Sequence, residues 1–364
     1  MLDSASPVPW SLKSKLSKSK HSKSKPLEPG FLESGFLEPE SSEPGSPLPL
    51  TDDMLQLSQQ LAQHVKPWAS AEGITSTTIP GLELLRVDSP MTCLGSSIYD
   101  PAICLIAQGE KVLWLGDRQM TYGPLSCLFT SVHLPVLAKV TKASPEQPYL
   151  GVKINIAPPE VADLVMALGD ELPPLSEAPC PELACGLCRA QAGASMVNAI
   201  LRLVQLLDSP RDARILAPLV HREILYWALV SEMGGRMRRF ATADSQIHRI
   251  SKVITLLKDR FHEPLKMGDL ATMANMSESS LFHGFKQVTR MSPLQFQKKL
   301  RLHEARRLML SEGIEASTAS FRVGYESPSH FSRDYSRQFG APPRTDVLRL
   351  RGGPLDQKTE SLLR

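Results

Sequence analysis

The chain has 364 residues, with 41 Lys and Arg against 38 Asp and Glu, a formal charge of +3 and six cysteines. Its length supports two or three domains, each with its own core. The lack of any run of 18 apolar residues excludes a helical membrane span, the first ten residues lack the basic then apolar order of a signal peptide, and six cysteines in so long a chain do not make a disulfide scaffold, so a reduced, cytoplasmic protein is expected.

Residues 1–50 alternate Lys and Ser from Lys13 to Lys25, then repeat a five-residue unit at 30–38, then collect Pro39, Pro44, Pro47 and Pro49. Such composition cannot bury enough apolar surface to offset chain entropy, so a solvated tail is expected. Met54 opens an amphipathic stretch with Leu57, Leu61 and Val65 on one face and is a candidate natural start. From 80 to 156 the pattern changes to short apolar or alternating runs at 82–86, 102–107, 111–115, 127–130, 136–140 and 151–156. Turn formers such as Gly116-Asp117 and Gly123-Pro124 separate them, which predicts a small barrel or sandwich. Helical spacing returns at 162–168, 196–207 and 215–233, with Pro218 expected to mark a break or a new start. In the second of these, Val197, Leu201 and Val204 form one stripe and Ile200, Leu203 and Leu207 another, facing the barrel, a partner chain or the core of one subunit. The stretch 234–240 reads as a linker before a helix at 247–260.

Charge is uneven. Residues 248–351 hold 18 Lys and Arg against 10 Asp and Glu, a net +8 that leaves about −5 for the remainder. A basic segment joined to an acidic one is expected when only one part meets phosphate. Within this segment two helix-turn-helix patterns occur. In the first, a short supporting helix from Met267 or Asp269 carries Leu270, Met273 and Ala274. Ser277 is suited to accept hydrogen bonds from the free N–H groups of the next turn, and Leu281, Phe285 and Val288 make an inward stripe. Glu278, Ser279, Phe282, His283 and Lys286 then face outward, some of them toward base edges, with Lys286, Gln287 and Arg290 better placed for phosphate. Gly284, costly in mid-helix, implies close approach of the duplex or another helix.

The second pattern packs through Ala316, Ala319 and Val323, closes its supporting helix at Gly324 with positive φ, and caps its reading helix with Ser327 before Pro328. Phe331, Tyr335 and Phe339 face inward; Ser329, Ser332 and Arg333 face outward, and Arg333 has the fork geometry for guanine. Between the motifs Pro293 starts a long helix. Leu294, Phe296, Leu300, Leu302, Ala305, Leu308 and Met309 give its apolar surface; Lys298, Lys299, Arg301, Arg306 and Arg307 line the rest, Lys298 as a phosphate contact. A rigid connector predicts two heads reading successive major grooves about 34 Å apart.

Residues 248–351 resemble the DNA-binding domain of the AraC/XylS family of transcription regulators. The likeness rests on Met276 through Phe285, Thr289-Arg-Met-Ser-Pro293, Arg301-Leu-His-Glu-Ala-Arg306, Val323-Gly-Tyr-Glu-Ser-Pro-Ser-His-Phe-Ser-Arg333, Phe339-Gly340 and Pro343. The resemblance puts base-reading positions at Ser279, Phe282, His283, Pro328, Ser329, Ser332 and Arg333; Phe282 and Gly284 depart from the commoner residues. Residues 80–156 resemble the cupin-like N-terminal domain of one subgroup, through Tyr99-Asp-Pro-Ala-Ile-Cys-Leu-Ile-Ala-Gln-Gly-Glu-Lys111, Leu115-Gly-Asp117, Ser131-Val-His-Leu-Pro135 and Ala143-Ser-Pro-Glu-Gln-Pro-Tyr149. It implies an activator of neighbouring oxidoreductase genes, responsive in some members to aldehydes, with operator DNA and RNA polymerase as partners.

The expected fold is therefore α+β: a tail at 1–50, a cupin-like effector-sensing β-barrel at 54–180, a helical connector at 181–245 that relays the effector or forms a homodimer, an all-α double helix-turn-helix domain at 246–351, and a tail at 352–364. A barrel can house one small ligand. No catalytic set, cofactor motif or metal constellation is expected: the strand region offers only His133, whereas a cupin enzyme clusters histidines around a metal. Cys93, Cys104 and Cys127 read as small buried residues, while Cys180, Cys185 and Cys188 read as an inert loop, with zinc ligation given a fourth ligand or a Cys185–Cys188 redox pair as the alternatives. If an electrophilic effector acts on a thiol, Cys185 and Cys188 are the exposed candidates and Cys104 and Cys127 the pocket ones; His133, an isolated pocket or surface residue, completes the effector-sensing set. The readings set beside a regulator are a metal-dependent cupin enzyme and an architectural protein that binds DNA promiscuously.

Overall fold

Alternate residues of the central strands face two different cores, and this alternation organises the N-terminal half. The computed structural model describes residues 51–91, 94–172, 185–242 and 245–351. The expected tails, with Cys93 and Cys180, lie outside them. Helix α1 (Asp52–Trp68) comes first, followed by strands β1 (Gly73–Ser76), β2 (Leu82–Val87), β3 (Gly95–Tyr99), β4 (Ala102–Gln108), β5 (Glu110–Leu115), β6 (Arg118–Tyr122), β7 (Ser126–Thr130), β8 (Leu134–Lys142) and β9 (Tyr149–Asn155). Helix α2 (Pro158–Leu168) and strand β10 (Leu187–Gln191) complete this part.

The strands form two antiparallel sheets, ordered β1-β2-β9-β4-β7-β10 and β3-β8-β5-β6. The expected barrel is thus a cupin-like pair of sheets rather than one continuous ring. On the larger sheet Ile103, Leu105, Cys127, Phe129, Val152 and Ile154 turn to a helical layer. Their neighbours Ile106, Leu128 and Tyr149 turn inward, as a period of two requires. The helical layer is α1, α3 (Ala194–Gln205), α4 (Pro210–Leu229) and α5 (Gly234–Ala241).

Three expectations change here. Residues 187–191, placed in the helical connector, pair with β7 as an edge strand. The stretch read as a linker at 234–240 is helix α5, because Met237 and Phe240, three apart, fill the core. Pro218 lies inside α4 without ending it. Both stripes of α3 are buried within this chain, so they complete one subunit's core, whereas α4 leaves Ile215 and Leu219 more than half exposed.

The C-terminal half is all helix: α6 (Gln246–Asp259), α7 (Met267–Met273), α8 (Glu278–Thr289), α9 (Pro293–Ser311), α10 (Ala316–Arg322), α11 (Pro328–Phe339) and α12 (Pro343–Leu350). One apolar cluster runs from the smaller sheet into the first motif, joining Leu113, Leu115 and Leu134 to Ile250, Phe285 and Val288. A second holds Leu302, Val323, Phe331 and Tyr335. Ser292 and Gln295 form a reciprocal capping box at the start of α9, satisfying two otherwise free donors.

Candidate functional site

Two candidate sites emerge, an outward surface on α8 and α11 and a cavity between the sheets. In α8 the Ser277 hydroxyl accepts from the Ser280 N–H, and Leu281, Phe285 and Val288 are fully buried. That fixes the opposite face outward, and Ser279, Phe282, His283 and Lys286 are exposed there while Gln287 is half-buried. Gly284 packs against α6: a Cβ there would meet the Gln246 side chain at 2.7 Å.

In α11 Ser327 accepts from the His330 N–H, Pro328 occupies the first turn, and Phe331 and Tyr335 are fully buried. Ser329 and Arg333 are exposed, Pro328 and Ser332 half-buried. Gly324 has φ +86°, and a Cβ there would lie 2.2 Å from the His262 carbonyl oxygen. Only glycine permits that backbone approach.

Lys298 is placed differently from a free phosphate contact. Its ammonium lies 2.7 Å from the Asp334 carboxylate, which is 2% exposed, so its charge is engaged inside the domain. Sequence reasoning also missed the staples. The Arg301 guanidinium donates to the carbonyls of Phe261 (2.7 Å), Glu263 (2.9 Å) and Gly324 (2.8 Å), tying the loop after α6 to the second motif. Arg306 makes a bidentate pair with wholly buried Asp346 at 2.8 and 2.9 Å. Both arginines stand in the Arg301–Arg306 signature, which gave their identity but not their partners.

The first motif docks on the sheets. The Gly186 N–H donates to the Val288 carbonyl (2.9 Å). The β5–β6 turn abuts the end of α8 so closely that a Cβ on Gly116, at φ +63°, would sit 2.8 Å from the Arg290 Cβ. Asp117 of that turn lines one shallow hollow with His283, Lys286, Gln287 and Arg290. On β3, Ser96 hydrogen-bonds His303 of α9 (2.9 Å) and accepts from the Gln338 amide of α11. Burial, then the nearby Arg306 and Lys299, pull the His303 imidazole down to about 3.

Between the sheets lies a cavity of about 200 Å³, lined by residues of all the strands from β1 to β9. Most of its wall is apolar, but Tyr99, Lys111, Tyr122, Thr130, Tyr149 and Cys104 contribute polar atoms, as do Ser97 and the ion-paired Asp100 and Lys153. Lys111 stands directly across from Tyr122 in the β5–β6 ladder, and its ammonium donates to the Tyr99 hydroxyl at 2.6 Å. Burial opposes that charge, but the Tyr99 and Tyr149 hydroxyls and the Tyr99 hydrogen bond leave the Lys111 ammonium above the ordinary lysine range.

The thiol candidates separate. Cys104 lines the cavity, and burial pushes its thiol up to about 11, away from the reactive thiolate. Cys127 faces the helical layer instead of the cavity. Cys185 and Cys188, expected to be exposed, are 3% and 2% exposed, because the first packs under α8 and the second sits in β10 beside Arg236. Burial raises the Cys188 thiol despite that guanidinium. His133 does not line the cavity. It bonds Asp100 (2.7 Å) where Lys258 of α6 also reaches both residues, at the junction of the two halves. His133, then Lys258 and Lys153, outweigh burial and hold Asp100 at about 2.

Residues 78–236 match a family model described as the AraC-type transcriptional regulator N-terminus, and residues 270–347 match one described as a helix-turn-helix domain. The chain is similar to the HTH-type transcriptional regulator GbdR of Pseudomonas aeruginosa, 30% identical over 109 residues that make 30% of this chain and 29% of that one. It is also similar to the HTH-type transcriptional activator RhaS of Escherichia coli, 24% identical over 44% of this chain and 56% of that one. The matches thus span at most 56% of these curated relatives. Among solved structures, ToxT from Vibrio cholerae O395 aligns with 12% identity and a TM-score of 0.48, over 75% of this chain and 99% of that one.

Proposed function

We propose that this chain, whose residues 78–236 and 270–347 match the AraC-type regulator N-terminus and a helix-turn-helix domain, is an AraC-type transcription regulator in which both α8 and α11 bind one asymmetric operator under the control of a small molecule held between the two sheets. Ser279, Phe282 and His283 of α8 read bases, as do Pro328, Ser329, Ser332 and Arg333 of α11, while Lys286 and Gln287 hold phosphate. Lys298 supports α11 through Asp334. The observation that carries the coupling is Ser96. It stands between the cavity-lining Gly95 and Ser97 and bonds both His303 and Gln338 of the DNA-reading half. A ligand that fits only one position of β3 therefore favours one docking of that half, the condition for any switch. The Asp117 carboxylate beside Lys286 suggests the direction: in the docked form it competes with a DNA phosphate.

The resemblance to the cupin-like subgroup supports a finer reading: an activator of neighbouring oxidoreductase genes, working with RNA polymerase, with an aldehyde, as in some members of that subgroup, one effector class to test. Homodimerisation, if it contributes, falls on the exposed face of α4, where Ile215→Glu in analytical ultracentrifugation checks it. Footprinting the DNA beside the flanking genes with the full chain tests the core of the reading. One sharp asymmetric site is expected; uniform protection of all DNA would indicate an architectural binder instead. Promoter output with and without benzaldehyde tests the effector, and an identical response in Cys104→Ser excludes covalent capture at that thiol.

A further inference from the structure

The charges around the cavity are matched with one exception. Lys153 lies 2.7 Å from Glu83 and 3.8 Å from Asp100. Asp100 in turn has His133 at 2.7 Å and Lys258 at 3.6 Å. Glu110, next to Lys111 in sequence, turns away to Lys142 (2.8 Å) and Thr141 (3.0 Å). Lys111 has no carboxylate partner among the described residues. Its ammonium meets the Tyr99 hydroxyl and the ring faces of Tyr99 and Tyr149, at 5.2 and 5.7 Å from their centroids. An ammonium has three N–H donors, and burying it among apolar groups without an opposite charge is costly. A second group lining the cavity, on the other sheet, is also short of a partner: the Thr130 hydroxyl, buried at 1% exposure, makes no hydrogen bond.

Building on the reading that this cavity holds the effector, we propose that the effector is a small organic monoanion, a carboxylate on a compact apolar body, with its charged group on Lys111. One carboxylate oxygen accepts from the ammonium and the other from a wall hydroxyl, so the charge and the free donors are satisfied together. The apolar body meets Leu85, Val87, Ile98, Ile106 and Val140. A sugar would leave its hydroxyls unpaired against that wall, and a phosphate dianion would need a second free cation. A neutral carbonyl compound fits the shape but leaves the ammonium uncompensated. The volume, about 200 Å³, is somewhat above the ~150 Å³ that takes benzene in a dry protein cavity, so a body of benzoate size fits. The anchor also touches the relay, since Tyr99 neighbours Asp100, which reaches Lys258 of α6, and shares β3 with Ser96.

The test uses the full chain and calorimetry with the monoanions benzoate and hexanoate and the neutral benzamide and benzyl alcohol. Benzoate is expected to bind saturably, with the two neutral probes at least about tenfold weaker. Lys111→Met should cost benzoate about 10- to 100-fold, the range for losing a charge-assisted bond, and leave benzamide unchanged. Tyr99→Phe, a milder change, should cost severalfold and keeps the test open if Lys111→Met does not fold. The proposal is overturned if benzamide matches benzoate, if benzoate and hexanoate both fail to bind, or if Lys111→Met retains benzoate affinity. Footprinting on the same samples separates the layers. Benzoate bound with an unchanged footprint overturns the effector role, whereas no footprint with or without benzoate overturns the regulator reading itself.

Discussion

Asp346→Ala should loosen the second reading head and leave the first in place. The Asp346 carboxylate is wholly buried and accepts two bonds from Arg306, one from the Tyr335 hydroxyl (2.8 Å) and one from Arg349 (3.2 Å). Arg349 is 41% exposed and contributes little, as exposed pairs do. The Arg306 side chain is 19% exposed, so removing its partner strands a mostly buried charge, at about 3–5 kcal/mol. Part of that loss is the Tyr335 hydroxyl, which forfeits an acceptor for about 1 kcal/mol. Tyr335 is on the inner face of α11, so the loss falls on that helix. Hydrogen exchange on the full chain should show α11 and α12 amides exchanging roughly two to three decades faster, at about 1.4 kcal/mol per decade, with α8 amides unchanged. The operator footprint should shorten on one side only. A change below about 1 kcal/mol, or equal loss in both motifs, would refute the assignment of Asp346 as the keystone of the second motif.

Further outcomes follow from other contacts. Arg333→Ala should cost specific binding about 1–3 kcal/mol if it reads guanine; titration against operator and random duplex checks it, and an unchanged specific-to-nonspecific ratio removes it from base reading. Lys298→Met should lower stability by stranding the buried Asp334 carboxylate, without changing the salt slope of DNA binding beyond what unfolding explains; a slope reduced by about one would restore a phosphate role. His303 stays neutral in the docked form down to about 3 but titrates near 6.5 when free. Docking stability is therefore full above 6.5 and lost as pH falls from there toward 3. Exchange at α9 followed from pH 7 to 4.5 should show this loss in the parent and less of it in His303→Gln. Asp100, held at about 2, gives up its share only below the ordinary aspartate value of 3.8, so its loss lies below the pH 7 to 4.5 range in which His303 is followed.

The reading helices were legible because their signals are local. Ser277 and Ser327 cap within three residues, and Leu281–Phe285–Val288 and Phe331–Tyr335–Phe339 mark the inner faces without reference to distant chain. Gly324 was readable as a left-handed stop, although its approach to His262 was not. The sheets were legible only where apolar alternation was strong. Strands β1, β3 and β6, with sequences such as Gly-Ser-Ser-Ile-Tyr and Arg-Gln-Met-Thr-Tyr, carry too many polar residues to stand out. Strand β10 was masked by its cysteine spacing, and paired glycines disguised α5. The cavity was the least legible feature. Tyr99, Lys111, Tyr122 and Tyr149 span half a hundred residues and converge only when four strands take their register. The same holds for Asp100, His133 and Lys258, which come from both halves of the chain.

Arg301 bonds the carbonyls that follow α6 and the one that opens the path to α11, and Gly324 is pressed against the His262 backbone. The two heads are therefore a caliper with a locked jaw. Inserting one base pair between the contacted segments turns the far segment by about 35° and moves it about 3.4 Å, and the protein has no joint to absorb either. The misfit passes to the DNA, which must twist or bend, or one head must let go. Spacing variants should thus lose binding at the first inserted base pair. A full added turn should not restore it, since the gap would then exceed what α9 spans. The operator's spacing would then follow from one guanidinium and the four carbonyls of Phe261, His262, Glu263 and Gly324 that it bonds, all within the protein.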